Sequence, residues 1–290
     1  MSSIGIDAAA VRDEQRAIWD AVSWGWQRWQ AEFERGAASV TALLLELGGV
    51  GPGQSLLDVG TGIGEPALTA AQWVAPRGRV LGIDPSPAMI AAARSRAANA
   101  GNVDFAEGDV ETVPLPARSF DVALSRWALM FAADRVATLR ALASLLKPGG
   151  VLAAAVWGPP RAAPMISLAF GVISERLSLE PPPRDLPGPF SMSDPAQVTA
   201  ELAAAGFSDV EVQEHVVPFR LDSVTDFIGF ARDVLPPRMK QLLRDRCGSV
   251  DDPGVWEAFA QAAERYVTAD GGVSLPSISL CIRAVTGGGA

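Results

Sequence analysis

Residues 56–66 read Leu-Leu-Asp-Val-Gly-Thr-Gly-Ile-Gly-Glu-Pro. A short apolar run ends in an acid, three glycines follow at alternate positions, and a proline stands where a first helical turn accepts one. This reads as a buried strand handing over to a helix through a tight turn. Glycines at Gly60, Gly62 and Gly64 let a ligand approach the main chain, and the helix start beyond them offers unsatisfied N–H groups. The turn is therefore expected to hold a nucleotide-type ligand. A dinucleotide fingerprint places Gly or Ala three residues after its second glycine. Here that position is Glu65, an anion facing the place of a pyrophosphate, so a smaller and less anionic ligand fits better.

Outward from this turn, short apolar runs alternate with amphipathic stretches, the pattern of βαβ units on a parallel sheet. Strands are expected at Ser55–Val59, Val80–Ile83, Val103–Ala106, Phe120–Leu124 and Val151–Val156, with helices over Glu65–Val74, Ala88–Ala100 and Ala133–Leu146. Pro66, Pro87 and Asp134 stand at the helix starts. Beyond Trp157, prolines and glycines break the pattern around one helix at Met165–Leu179. It resumes with a helix near Pro195–Ala205 and a strand from Val210 to Phe219, then departs again over the mostly helical Asp222–Asp270. A strand at Leu275–Ala284 and a frayed tail at Gly287–Gly289 end the chain. Ahead of the sheet, residues 10–47 read as a helical prologue holding Trp19, Trp24, Trp26 and Trp29. The resulting division is a helical cap 1–39, a binding core 40–157, a lid insertion 158–194, a core helix and strand 195–219, a helical lid insertion 220–274, and a final strand with tail 275–290.

Composition narrows the chemistry. With 24 Lys and Arg against 33 Asp and Glu among 290 residues, the chain carries net charge -9, which argues against binding a phosphate backbone. The cysteines Cys247 and Cys281 and the lone His215 offer no zinc-ligand spacing, so no metal is expected. No run of 18 apolar residues occurs, and the N-terminus lacks a basic-then-apolar signal pattern. A soluble cytoplasmic protein without membrane or nucleic-acid partners follows as the expectation, and a homodimer is allowed.

Asp58, Asp84 and Asp109 each follow a strand of the expected sheet. They should therefore converge on the edge where open α/β sheets bind ligands, with Asp84 placed to grip ribose hydroxyls. At this point the chain resembles the class I S-adenosylmethionine-dependent methyltransferases, in the group that includes the ubiquinone and menaquinone methyltransferases. The residues that carry the resemblance are LLDVGTGIGEPAL, VLGIDPSPAMIAAAR, EGDVETVPLPARSFDVALSRWALMF and LLKPGGVLAAAVW, in that order within residues 40–157. It implies a Rossmann-like, doubly wound α/β fold with a seven-stranded, mostly parallel sheet, an antiparallel last strand and helical lid insertions. It implies S-adenosylmethionine as cofactor and S-adenosylhomocysteine as product. By the same resemblance Gly60, Thr61, Gly62 and Gly64 cradle the methionine part and Asp84 holds the ribose. Pro85 and Met89 then lie beside the adenine, Asp109 and Val110 hold it, and Ser125 lies at the methionyl end. Asp58 orders the loop or meets the cofactor amine through water.

Methyl transfer from a sulfonium proceeds by in-line displacement, so positioning and exclusion of water supply much of the acceleration. A general base is optional. The family often places a histidine in the segment after the fourth strand, where this chain has Ser125-Arg126-Trp127-Ala128. Arg126 and His215 are the only candidates for a catalytic side chain, and the catalytic residue is otherwise unassigned. Trp24, Trp26, Trp29, Arg126 and Trp127 are candidates to touch the acceptor. The apolar insertions, with Met165, Phe170, Phe190, Phe227, Phe230 and Trp256, point to a bulky, mostly apolar small molecule such as a natural product or quinone. Two alternatives stay open: an enzyme of the same fold that keeps the cofactor without transferring its methyl, such as a cyclase or decarboxylase, and a cofactor-binding subunit without turnover.

Overall fold

The computed structural model describes residues 7–287 apart from 99, 182, 184 and 185. Of the expected glycine tail, Gly288 and Gly289 lie outside the described residues. The apolar runs form β1 (Ser55–Val59), β2 (Arg79–Asp84), β3 (Val103–Glu107), β4 (Phe120–Arg126) and β5 (Leu146–Trp157), followed by β6 (Phe207–Leu221) and β7 (Val273–Thr286). They make one sheet in the order β3-β2-β1-β4-β5-β7-β6. Neighbours among the first five strands pair in parallel. β7 runs antiparallel between β5 and β6, which leaves six strands in one direction and β7 alone in the other. Strand order reverses between β1 and β4, and there the connections diverge to leave a crevice at the carboxyl ends.

Between the strands lie α3 (Ala67–Val74), α4 (Pro87–Arg96) and α5 (Arg135–Leu145). Their starts follow the local chemistry. Asp134 accepts from the Ala137 N–H at 3.0 Å, and the Ser86 hydroxyl accepts from the Met89 N–H at 3.1 Å with Pro87 in the first helical position. These side chains satisfy N–H groups that a helix start leaves unpaired. α4 stops at Arg96, short of the expected Ala100, as the chain turns back to β3.

The prologue is two helices, α1 (Ala8–Arg28) and α2 (Gln30–Leu47), separated at Trp29. α2 packs beside β6, where Gly36 lies against the Phe219 ring so closely that a Cβ would meet Cδ1 at 2.6 Å. Because α2 is continuous through residues 39 and 40, the expected boundary between cap and core falls inside one helix. Four of the remaining helices, α6 (Pro164–Arg176), α8 (Val224–Asp233), α9 (Pro237–Cys247) and α10 (Pro253–Ala263), come from the two departures from the βα pattern, and α7 (Pro195–Ala204) precedes β6. Phe227 of α8 and Phe259 of α10 meet edge to face at 4.8 Å, with Trp256 5.8 Å from Phe259. These rings are continuous with the apolar core that the sheet contributes to.

Candidate active site

A cavity of about 290 Å³ sits at the carboxyl ends of β1, β2 and β4, walled on the far side by α1, α6 and the end of α8. Its floor is the glycine turn. Gly60, Gly62 and Gly64 hold φ of +69°, +53° and +110°, the left-handed region that side chains disfavour. The N–H groups of Gly60 and Thr61 donate to the Ile83 carbonyl at 2.9 and 3.0 Å. Gly60 also passes Ala128 so closely that a side chain there would collide with its Cβ.

Asp58 stabilises this turn from beneath. Its Oδ2 accepts from Thr61 Oγ1 at 2.6 Å and from the Ala67 N–H, at the start of α3, at 3.1 Å. The carboxyl is fully buried and its Oδ1 has no partner among the described residues. Desolvation pushes its pKa up to about 7, against the opposing pull of the Thr61 hydrogen bond and the Arg126 charge. Of the two roles expected for Asp58, the geometry supplies loop ordering, since Asp58 is absent from the cavity wall. Gly64 also lies off the cavity, where it shapes the turn rather than touching its contents.

Asp84 does reach the cavity. Its Oδ2 accepts from the Gly62 N–H and its Oδ1 from the Ser86 N–H, both at 2.9 Å. Burial raises its pKa to about 6, the two backbone donors acting in the opposite direction. Pro85 and Met89 flank it on the wall. Asp109 lines the same side with Val110, its Oδ1 accepting from the Glu111 N–H at 2.9 Å. The structure thus brings Gly60, Thr61, Gly62, Asp84, Pro85, Met89, Asp109 and Val110 to one surface. Ser125 is not part of it, because its hydroxyl turns into the sheet and donates to the Val59 carbonyl at 2.9 Å.

Past the glycine turn the walls become aromatic. Trp127 is buried at φ +57°, a conformation that costs about 1–3 kcal/mol in a residue other than glycine and persists only where surroundings enforce it. Its ring stacks on Trp157 at 4.3 Å and 4°, and its Nε1 donates to Ser279 Oγ at 3.0 Å. Arg126 beside it forms a bidentate pair with Glu34 at 2.8 and 2.5 Å and a bond to Thr41 Oγ1 at 2.8 Å. That guanidinium is committed to α2, so Arg126 meets the cavity as half of an ion pair. Glu65 also reaches the wall, paired with Arg96 at 3.3 Å and accepting from Thr69 Oγ1 at 2.8 Å.

The prologue tryptophans divide sharply. Trp19 and Trp26 line the cavity, whereas Trp24 is 62% exposed and Trp29 lies off the wall. At roughly 100° per residue, Trp19 and Trp26 share one helix face while Trp24 stands well around from it. Trp29 donates from Nε1 to Asp233 Oδ2 at 2.7 Å and packs on Phe230. His215 is remote as well, paired with Ser39 Oγ at 3.0 Å on the edge strand β6. It is absent from the cavity wall. Of the apolar insertion residues, Met165, Phe170 and Phe230 face the cavity, while Phe190, Phe227 and Trp256 pack elsewhere. Trp19, Glu34, Phe33 and Phe131 are wall residues that the sequence reading left unassigned. The seven-residue spacing of Trp19 and Trp26, which puts both on one helix face, is a signal that finds Trp19.

The donor set decides which ligand fits. The cavity wall carries Glu34, Glu65, Asp84 and Asp109 against Arg12 and Arg126, and both arginines are paired, Arg12 with Glu111 at 3.1 Å and Arg126 with Glu34. No unpaired cation on this wall is available to a pyrophosphate, whereas a cationic sulfonium attached to a nucleoside meets carboxylates and a backbone cradle. Among the described residues no group of three potential ligands is arranged for a metal.

Comparison with known proteins agrees with this geometry. Residues 57–154 match the family model described as a methyltransferase domain. The ubiquinone/menaquinone biosynthesis C-methyltransferase of Ectopseudomonas mendocina is 36% identical over 111 residues, covering 37% of this chain and 43% of that protein. The aklanonic acid methyltransferase of Streptomyces sp. strain C5 is 39% identical over 103 residues, covering 35% of this chain and 47% of that protein. The chain therefore spans less than half the length of these curated relatives. Among solved structures, the YcgJ protein of Bacillus subtilis shares the fold with a TM-score of 0.58 at 19% identity, over 87% of this chain and all of that one. Residues 57–154 therefore match a methyltransferase domain, and the fold around them is the one seen in YcgJ.

Proposed function

We propose that the protein transfers the methyl group of S-adenosylmethionine to a small, bulky and mostly apolar acceptor. One observation carries this reading: a single cavity joins the glycine turn and the carboxylates Asp84 and Asp109 to a chamber walled by Trp19, Trp26, Phe33, Trp127, Phe131 and Phe170. Asp84 accepts from the ribose hydroxyls, Asp109 from the adenine amino group, and the Gly60–Gly62 backbone follows the methionine chain. When bound, the cofactor supplies an electrophilic methyl on a sulfonium. The chain's own residues supply alignment and dryness: Trp127 is fixed by Trp157 and Ser279, Arg126 is held by Glu34, and the aromatic walls exclude water where charge is neutralised.

Two relatives named for a quinone-pathway C-methylation and for aklanonic acid support an apolar ring system as acceptor. Among the described residues neither His215 nor an unpaired lysine or arginine stands on the wall, so the reaction relies on position together with a wall carboxylate or the acceptor's own acidity. The test has two stages. Calorimetry with S-adenosylhomocysteine should show binding that Asp84→Ala and Asp109→Ala each weaken. Mass spectrometry after incubation with S-adenosylmethionine and a panel of hydroxylated naphthoquinols and anthraquinones should then show gain of one methyl group. Cofactor binding with turnover of an acceptor but no methyl gain would establish a non-methylating enzyme instead.

A further inference from the structure

α1 forms one wall of the chamber, yet only Val22, Ser23 and Gly25 of its 21 residues are buried. At its C-terminal end Arg28 donates to Asp233 Oδ2 of α8 at 3.0 Å, and over the N-terminal part of its length two polar latches and a few ring contacts hold it down. At the first latch, Asp20 Oδ1 accepts from Ser86 Oγ at 2.5 Å and from the Ala88 N–H at 3.1 Å. At the second, Arg12 donates to Glu111 Oε2 at 3.1 Å, while Thr138 donates to Glu111 Oε1 at 2.5 Å. The two latching residues are eight apart, about 12 Å along the helix.

Both latches end on a residue that holds a cavity carboxylate. Ser86, gripped by Asp20, donates its backbone N–H to Asp84 Oδ1, and Glu111, gripped by Arg12, donates its backbone N–H to Asp109 Oδ1. The same helix then presents Trp19 and Trp26 to the chamber, with Trp19 edge-on to Phe131 at 4.9 Å. We propose that Asp20 and Arg12 are positioning residues that couple occupation of the nucleoside end to the seating of α1, so that the acceptor chamber is completed only after the cofactor is bound. A ligand that fixes Asp84 and Asp109 fixes the loops carrying Ser86 and Glu111, and these anchor the part of α1 that runs from Arg12 to Asp20, while Arg28 and Gly25 hold its other end on Asp233. The coupling is reciprocal: a seated α1 tightens the cofactor site by the same factor that the cofactor favours the seated helix. This inference rests on the cofactor reading above and goes beyond it in assigning order and cause.

The experiment is hydrogen–deuterium exchange of the α1 amides in the full chain, with and without S-adenosylhomocysteine, alongside calorimetry. In the wild type the ligand should slow exchange across residues 12–25 by about tenfold, the scale set by losing or keeping charge-assisted bonds. Asp20→Ala should still give binding heat, with affinity lowered by the same coupling factor, while the ligand slows α1 exchange by less than about twofold. Asp20→Asn keeps one oxygen that can accept from both Ser86 Oγ and the Ala88 N–H, and it should restore the protection. A purely structural role for Asp20 predicts faster α1 exchange in Asp20→Ala with the ligand effect intact, and that result overturns the coupling. Binding heat without any change at α1 in the wild type overturns it too. Absence of binding heat in the wild type removes the cofactor reading itself, a distinguishable failure, and the coupling falls with it.

Discussion

Asp58 offers the sharpest physical prediction, because the chain buries a carboxyl with one oxygen unpartnered beneath the turn that defines the fold. Its pKa rises from 3.8 to about 7 on folding, chiefly through desolvation. An acid whose folded pKa is raised binds its proton more tightly in the native state. Its contribution to stability is therefore present at low pH and lost as pH climbs from the unfolded value towards the folded one. Between pH 5 and pH 7 that is two units of mismatch, about 3 kcal/mol at roughly 1.4 kcal/mol per unit. Asp58→Asn removes the titration while keeping an oxygen to accept from Thr61 and Ala67. Its new amide N–H groups have no partner where Oδ1 lay, a cost independent of pH. The variant's stability relative to wild type should accordingly rise by about 3 kcal/mol from pH 5 to pH 8, whatever the offset at pH 5. Asp84, also raised, to about 6, titrates in both proteins and cancels in the difference. Urea unfolding at pH 5, 6, 7 and 8, with unchanged denaturant slope, measures the quantity. A difference that moves by less than about 1 kcal/mol over that range would refute the reasoning, since it would mean that the site is wet or Asp58 ionised throughout.

Three further outcomes follow from the same geometry. Gly60→Ala meets both the Ala128 side chain and a φ of +69°, and the backbone term alone costs about 1–2 kcal/mol; S-adenosylhomocysteine affinity by calorimetry should fall by at least about tenfold, the factor that 1.4 kcal/mol represents. Glu34→Ala strands the Arg126 guanidinium, whose side chain is 6% exposed, at a cost of about 3–5 kcal/mol; thermal unfolding should drop accordingly, and Glu34→Ala with Arg126→Met should recover most of the loss. Trp24→Ala should change neither cofactor affinity nor stability by more than about 0.5 kcal/mol, because that ring faces solvent, and an effect larger than this in either assay would place Trp24 at the site after all.

The sheet was legible because its first five strands are short apolar runs with local punctuation: β1 stops ahead of Gly60, β2 ends at Asp84 ahead of the capped α4, and β4 precedes α5 with its Asp134 cap. Leu56–Val59 must be covered on both faces, so no solvent-facing alternation blurs the reading. The sequence placed three strands well short: β5, which begins at Leu146 rather than Val151, and the antiparallel pair β6 and β7. The last two are long because they pair with each other over Phe207–Leu221 and Val273–Thr286, and that partnership bridges some 50 intervening residues. Phe207 and Ser208 lie ahead of an irregularity at Asp209-Val210 and join the strand only because they pair with Thr286 and Val285.

The cavity follows the same division. Gly60, Gly62, Asp84 and Asp109 were readable because spacing from a strand end fixes where a side chain falls at a sheet edge. The acceptor wall was readable only in composition. Its residues come from α1, α2, α6, α8 and the connection after β4, and which ring faces inward depends on helix phase and on polar partners far away in sequence. Trp29 illustrates this. Its indole is apolar enough for the chamber, but Asp233, 204 positions on, accepts its N–H at 2.7 Å and draws the ring to α8. Arg126 was drawn in the same way, by Glu34 from 92 positions upstream. In both cases a carboxylate on a distant helix decided the side chain's direction. Charged partners on α1, α2 and α8 therefore determine the acceptor wall as much as the aromatic rings do, and variants aimed at acceptor specificity should include Glu34 and Asp233 together with Trp19, Trp26 and Trp127.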